Sequence, residues 1–126
     1  LEGLNKEYGT RILIDELTRI RIGDKFIVRE VDRVTVAGKA EPTQVYELFA
    51  LAGMAAPKLQ DLINAYQNGL KAYREMNWDL ATEKLNDCLE INSDDGPALL
   101  LITRIAQLRN NPPPSDWKGV WRFSTK

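Results

Sequence analysis

Tyr8-Gly9-Thr10, Ile12-Leu13-Ile14, Arg29-Glu30-Val31-Asp32-Arg33-Val34, Gly38-Lys39-Ala40-Glu41-Pro42 and Val45-Tyr46-Glu47 decide how the first half of this chain folds. Leu1 to Lys6 read as the end of a helix. Gly9 closes it, because glycine takes the left-handed conformation at low cost. Arg11-Ile12-Leu13-Ile14 is a short apolar run, read as a buried strand. Asp15 or Thr18 caps a short helix around Leu17 to Ile22, and Gly23-Asp24 ends it. From Phe26 to Val36 apolar residues alternate with Glu30, Asp32 and Arg33, the pattern of a strand with one wet face, bulged near Val31. Gly38-Lys39 is a turn. Gln44-Val45-Tyr46-Glu47-Leu48 follows Pro42 as an antiparallel partner.

Working outward, residues 49–57 are rich in alanine and contain Gly53 and Pro57, and read as a linker. From Lys58 the period becomes helical. Leu59, Leu62, Ile63, Tyr66, Leu70 and Tyr73 form one apolar stripe at three- and four-residue spacing. Asn77-Trp78-Asp79 breaks it. A second stripe runs from Leu80 through Ala81, Leu85, Cys88 and Leu89 to Ile91. Pro97 opens a third helix, where its missing N–H costs nothing. Asn110-Asn111 ends that helix, and Pro112-Pro113-Pro114 forbids its extension. The expected organisation is α+β over 1–48, a linker over 49–57, and an α-helical module with an aromatic tail over 58–126.

The chain has 126 residues, 17 basic and 18 acidic, with a net charge of -1. That balance sets up no field to draw nucleic acid or an anionic membrane. It has one cysteine and no histidine. An internal disulfide is therefore excluded, and so is the commonest general base near neutral pH. No apolar run approaches the roughly 18 residues of a membrane span. With no opening methionine and no charged-then-apolar leader, the chain is expected to be a fragment or a cleaved product, itself in the cytoplasm.

The first half resembles the C-terminal end of the catalytic domain of class III adenylate/guanylate cyclases, in their bacterial branch. The family text "LEgLNKxYGt", "xILI", "REvDrVxVKGkxePv" and "VYEL" occurs here in order, over residues 1–48. The second half resembles an extension found in some bacterial members. It carries Ala72-Tyr73-Arg74, Trp78-Asp79, Asp94-Asp95-Gly96-Pro97-Ala98 and the run from Pro112 to Lys126. The resemblance implies a parent with a membrane-bound sensor of the CHASE2 type. It also implies the parent's reaction, attack of the ribose 3′-oxygen on the α-phosphorus with loss of pyrophosphate. Two divalent cations (magnesium or manganese) held by an Asp pair assist that reaction. An Asn and an Arg stabilise the developing charge. All of these residues are expected before Leu1, so the isolated chain is expected to be inactive and to carry no cofactor. One family position falls inside the chain, the first Lys of "VKGK". Here it is Ala37, and Lys39 remains as the candidate phosphate contact, against its reading as a solvated turn residue.

The helical half also resembles a tetratricopeptide repeat, a helix pair with a period of about 34 residues. Gly69 stands at the small position of the first helix, and Ala81, Leu85 and Cys88 at the Ala, Phe and Ala positions of the second. Ala65 and Asn68 depart from the usual Trp and Leu. At least about three repeats are usually needed for independent stability. The chain is therefore expected to self-associate as a homodimer or larger species, and the helical module to serve dimerisation, regulation or binding of a protein partner.

The remaining constellations have plainer readings. Asn92, Asp94 and Asp95 lack the spacing of a calcium loop and read as a capping turn. Glu30, Asp32 and Glu47 read as cross-strand partners of Arg29 and Arg33. Cys88 lies on an apolar stripe and reads as core. Trp117, Trp121 and Phe123 either dock a partner or fold back to cap the helix pair, and the second is expected. Two functions follow. One is the C-terminal section of an adenylate or guanylate cyclase in intracellular signalling. The other is a stand-alone helical scaffold without catalysis.

Overall fold

A computed structural model describes residues 2–36, 41–51 and 57–123. In chain order the elements are α1 (Glu2–Tyr8), β1 (Leu13–Asp15), α2 (Glu16–Ile22), β2 (Phe26–Thr35), β3 (Thr43–Leu51), α3 (Pro57–Arg74), α4 (Trp78–Ile91), α5 (Gly96–Asn110) and β4 (Val120–Arg122). The fold is α+β, with five helices and one four-stranded mixed sheet among the described residues. The chain divides into two compact units, residues 1–55 with 120–126, and residues 56–119.

In the first unit the strands lie in the order β1-β3-β2-β4. β1 and β2 both pair β3 antiparallel, while β4 joins β2 in parallel. Gly9 adopts φ 67° and closes α1, and the Thr10 hydroxyl then donates to Asn5 Oδ1 at 2.8 Å. Asp15 is the cap of α2: it accepts the Thr18 N–H at 2.9 Å. The bulge in β2 falls where the alternation fails, between Glu30 and Asp32, with Val31 as the extra residue. A second irregularity opposes Ile27 to Ala50 but Val28 to Leu48, and leaves Phe49 as the extra residue of β3. β3 itself runs to Leu51, three residues into the stretch read as linker.

The second unit is a helical array. α3 ends in a tight turn. The Met76 N–H bonds to Tyr73 O at 3.0 Å and the Asn77 N–H to Ala72 O at 2.9 Å. This is the Schellman pattern with Met76 as its left-handed residue, at φ 61°. Asn77 at once becomes the cap of α4, so Trp78 and Asp79 are helical and do not break the helix. Leu62, Tyr66, Leu70, Tyr73, Ala81, Leu85, Cys88, Leu101 and Ile105 form the core. Cys88 is buried, with its thiol toward Leu62 O at 3.7 Å.

The tail divides between the two units. Trp117 packs edge-on to Tyr73 at 5.3 Å between ring centroids, as expected for a cap on the helix pair. Val120–Arg122 does otherwise and becomes β4 of the sheet. The backbone amides of an extended tail need acceptors, and the free edge of β2 supplies them.

Gly69 of α3 packs directly against Leu85 of α4. A Cβ there would lie 3.1 Å from both Cγ and Cδ2 of Leu85. A branched side chain has no room. Gly69→Val is expected to cost about 1–3 kcal/mol by overpacking. In a Leu85→Ala background the same change should cost less, because the clashing methyls are gone. Urea unfolding of the four chains of this cycle measures the coupling, and equal costs in both backgrounds would contradict the packing argument.

Candidate functional site

The motif residues of β2 and β3 build two different faces. In an unbroken strand Arg29 and Asp32, three positions apart, point to opposite sides. The extra residue at Val31 changes the phase. Arg29 then opposes Glu47 and Asp32 opposes Val45, and Glu47 and Val45 share one face of β3. That face is dry: Arg29 is 1% exposed and Asp32 0%.

On this face the Arg29 guanidinium bonds to Glu47 Oε1 at 2.5 Å and lies 5.2 Å from the centroid of Phe49. The Tyr8 hydroxyl donates to Asp32 Oδ2 at 2.5 Å, with both side chains buried. The other Asp32 oxygen accepts the Arg33 N–H at 2.8 Å. Tyr8 is the last residue of α1, so this bond pins the end of that helix to the bulged strand. Leu4, Leu13, Val34 and Val45 are buried in the same unit and keep water from the ionic pairs.

The opposite face is half-buried. Gln44 donates to Glu30 at 2.6 Å, and the Tyr46 hydroxyl to Glu16 Oε2 at 2.5 Å. Burial of the Tyr46 phenol raises its pKa. The hydrogen bond to Glu16 and the charges of Glu16 and Glu30 add to the rise. Tyr46 is thus a neutral donor throughout the ordinary pH range. An open cavity of about 510 Å³ is lined by Asp15, Glu16, Leu17, Arg33, Thr43 and Gln44. Its carboxylates are committed to structural bonds, Asp15 to the Thr18 N–H and Glu16 to Tyr46. It holds no nucleophile paired with a base.

Lys39 lies outside the described residues, as does the turn that carries it. Among the described residues no three His, Cys, Asp or Glu side chains gather as metal ligands. Asn92 accepts the Asp94 N–H at 3.1 Å, the geometry of a turn. Asp95 precedes α5 without a side-chain capping bond. Arg29 meets Glu47 across the strands, as expected. Glu30 also accepts from Gln44, and Asp32 from Tyr8, two contacts that the sequence did not suggest. Tyr8 carries no local signal for this role, since it stands 24 residues from Asp32.

The chain is 38% identical over 112 residues to the terminal-differentiation-specific adenylate cyclase of Dictyostelium discoideum. The match takes in 84% of this chain and 5% of that protein, so the chain spans a small part of its relative. No protein-family model matches the chain, and no solved structure matches it.

Arg29→Met should destabilise the fold by about 3 kcal/mol, because it leaves the half-buried Glu47 carboxylate without its cation. Adding Glu47→Leu should recover part of that loss. A double variant as unstable as Arg29→Met, measured by urea unfolding, would remove the pair from the account.

Asp15 titrates below its ordinary value because the Thr18 backbone N–H bonds to its carboxylate. A lowered folded pKa contributes stability above the unfolded value of about 3.9, and that stability is lost as pH falls through the folded value. Asp15→Ala should therefore cost about 1 kcal/mol at neutral pH. The gap to the parent chain should narrow in denaturant melts below about pH 4. A gap that is constant down to pH 2 would mean that the cap does not depend on charge.

Proposed function

We propose that this chain, related in sequence to an adenylate cyclase, forms the C-terminal section of a class III nucleotidyl cyclase. The observation that carries the reading is the 38% identity, which spans 84% of the chain. In this reading β1, β2 and β3 complete the edge of the catalytic sheet, and Tyr8-Asp32 and Arg29-Glu47 hold α1 and the strands in register. The reaction of the whole protein joins the ribose 3′-oxygen of ATP to the α-phosphorus. The bond from that phosphorus to the bridging oxygen breaks, and pyrophosphate leaves. The residues of this chain orient and support; the reacting groups belong elsewhere in the protein. The tetratricopeptide-like unit over α3, α4 and α5 serves dimerisation or regulation. A bacterial parent with a membrane-bound sensor belongs to the same reading.

The test is made on the full-length protein with ATP or GTP and manganese. Cyclic nucleotide is expected from the full-length protein, background alone from residues 1–126. Arg29→Met should lower turnover of the full-length protein at least about tenfold. A full-length protein inactive on both nucleotides overturns the reading. Activity from residues 1–126 alone overturns the division of labour.

A further inference from the structure

Three parts of the first unit meet at the buried side chain of Tyr8. Tyr8 is the last residue of α1. Its hydroxyl donates to Asp32 Oδ2 on β2 at 2.5 Å. Its ring takes the Phe123 ring edge-on, at 6.2 Å between centroids, the arrangement that aromatic pairs prefer.

Phe123 is placed there by β4. Val120, Trp121 and Arg122 pair in parallel with Arg33, Val34 and Thr35 of β2. The Phe123 N–H then bonds to Thr35 O at 2.8 Å. Asp32 lies next to Arg33 on the same strand, so β4 grips the stretch of β2 that also holds Tyr8. A parallel strand of three residues is weakly held, since parallel pairing is the less stable kind per residue. Such an element opens more readily than the core strands beside it. The bond from Tyr8 to the Asp32 carboxylate, by contrast, is strong only while water is kept from it.

We propose that β4 is a regulatory strand that sets the seat of α1 through Phe123. With β4 on the sheet, the Phe123 ring covers Tyr8 and keeps the Tyr8–Asp32 bond dry. Drawing β4 off the Arg33–Thr35 edge uncovers Tyr8, lets water compete for Asp32 and frees the end of α1. The coupling is reciprocal, as linkage requires: unseating Tyr8 loosens β4. It does not rest on the cyclase reading, and its test reads no cyclase activity.

The test is amide exchange in the whole chain. The reporter for α1 is the Thr10 amide, bonded to Asn5 O at 3.1 Å across the end of the helix. The reference is the amide of Val45, buried on β3. Phe123→Ala should speed exchange at Thr10 at least about tenfold and leave Val45 unchanged. Phe123→Tyr, which keeps the ring, should restore most of the protection. In the other direction, Tyr8→Leu should speed exchange at Phe123 by a similar factor. Wild-type exchange at Thr10 in the Phe123→Ala chain overturns the proposal, and so does equal acceleration at Thr10 and Val45. Wild-type exchange at Phe123 in a folded Tyr8→Leu chain overturns it as well. If Tyr8→Leu fails to fold, the Phe123 variants decide alone.

Discussion

The extra residue at Val31 puts a guanidinium and a carboxylate on the same dry face of the sheet. Without it, Arg29 or Asp32 would turn toward the wetter side. Removing both from water costs several kcal/mol per ion in an ordinary protein interior. The first unit offsets that cost with specific partners, Glu47 and the Phe49 ring for Arg29, the Tyr8 hydroxyl and a backbone N–H for Asp32. Each partner comes from a different element or from a defined register position. The bulge, the strand register and the seat of α1 are therefore one constraint and not three. A register slip of one residue would turn the side chains of β2 to the other face and take both groups away from these partners.

The helical unit solves a simpler problem. Its backbone groups are satisfied within each helix, so its core has only to fill space. Gly69 lets α3 and α4 approach where Leu85 stands between them. The Schellman turn at Met76 and the cap at Asn77 reverse the chain within three residues. Trp117, Tyr73 and Trp78 then close one end with edge-on contacts, the geometry that aromatic rings prefer. The strained residue at that turn is a methionine and not a glycine, a position where the short connection overrides local preference.

Local signals were legible in proportion to how local their causes are. Asp15 capping α2, Gly9 and Gly23 ending helices, the bulge near Val31 and the burial of Tyr66, Tyr73 and Cys88 all follow from residues a few positions apart. The end of β3 did not. Phe49–Leu51 look like the start of an alanine-rich linker, yet they continue β3, with Ala50 and Leu51 paired to Ile27 and Phe26 of β2. β4 is the clearest case. Nothing in Val120-Trp121-Arg122 distinguishes a strand from a docked tail, and parallel addition to a strand 87 positions earlier has no period to read.

For the candidate site the division is the same. The motif residues from Tyr8 to Glu47, with the cyclase relationship they carry, were set by the sequence itself, as were the two apolar stripes and the want of any histidine. The tertiary structure alone decided that Asp32 answers to Tyr8, that Glu30 answers to Gln44, and that the tail is shared between a helix pair and a sheet edge. The physical reason is reach. Periodicity and capping act over one or two turns of chain, whereas a buried charge takes its partner from whatever the register and the packing bring within about 3 Å.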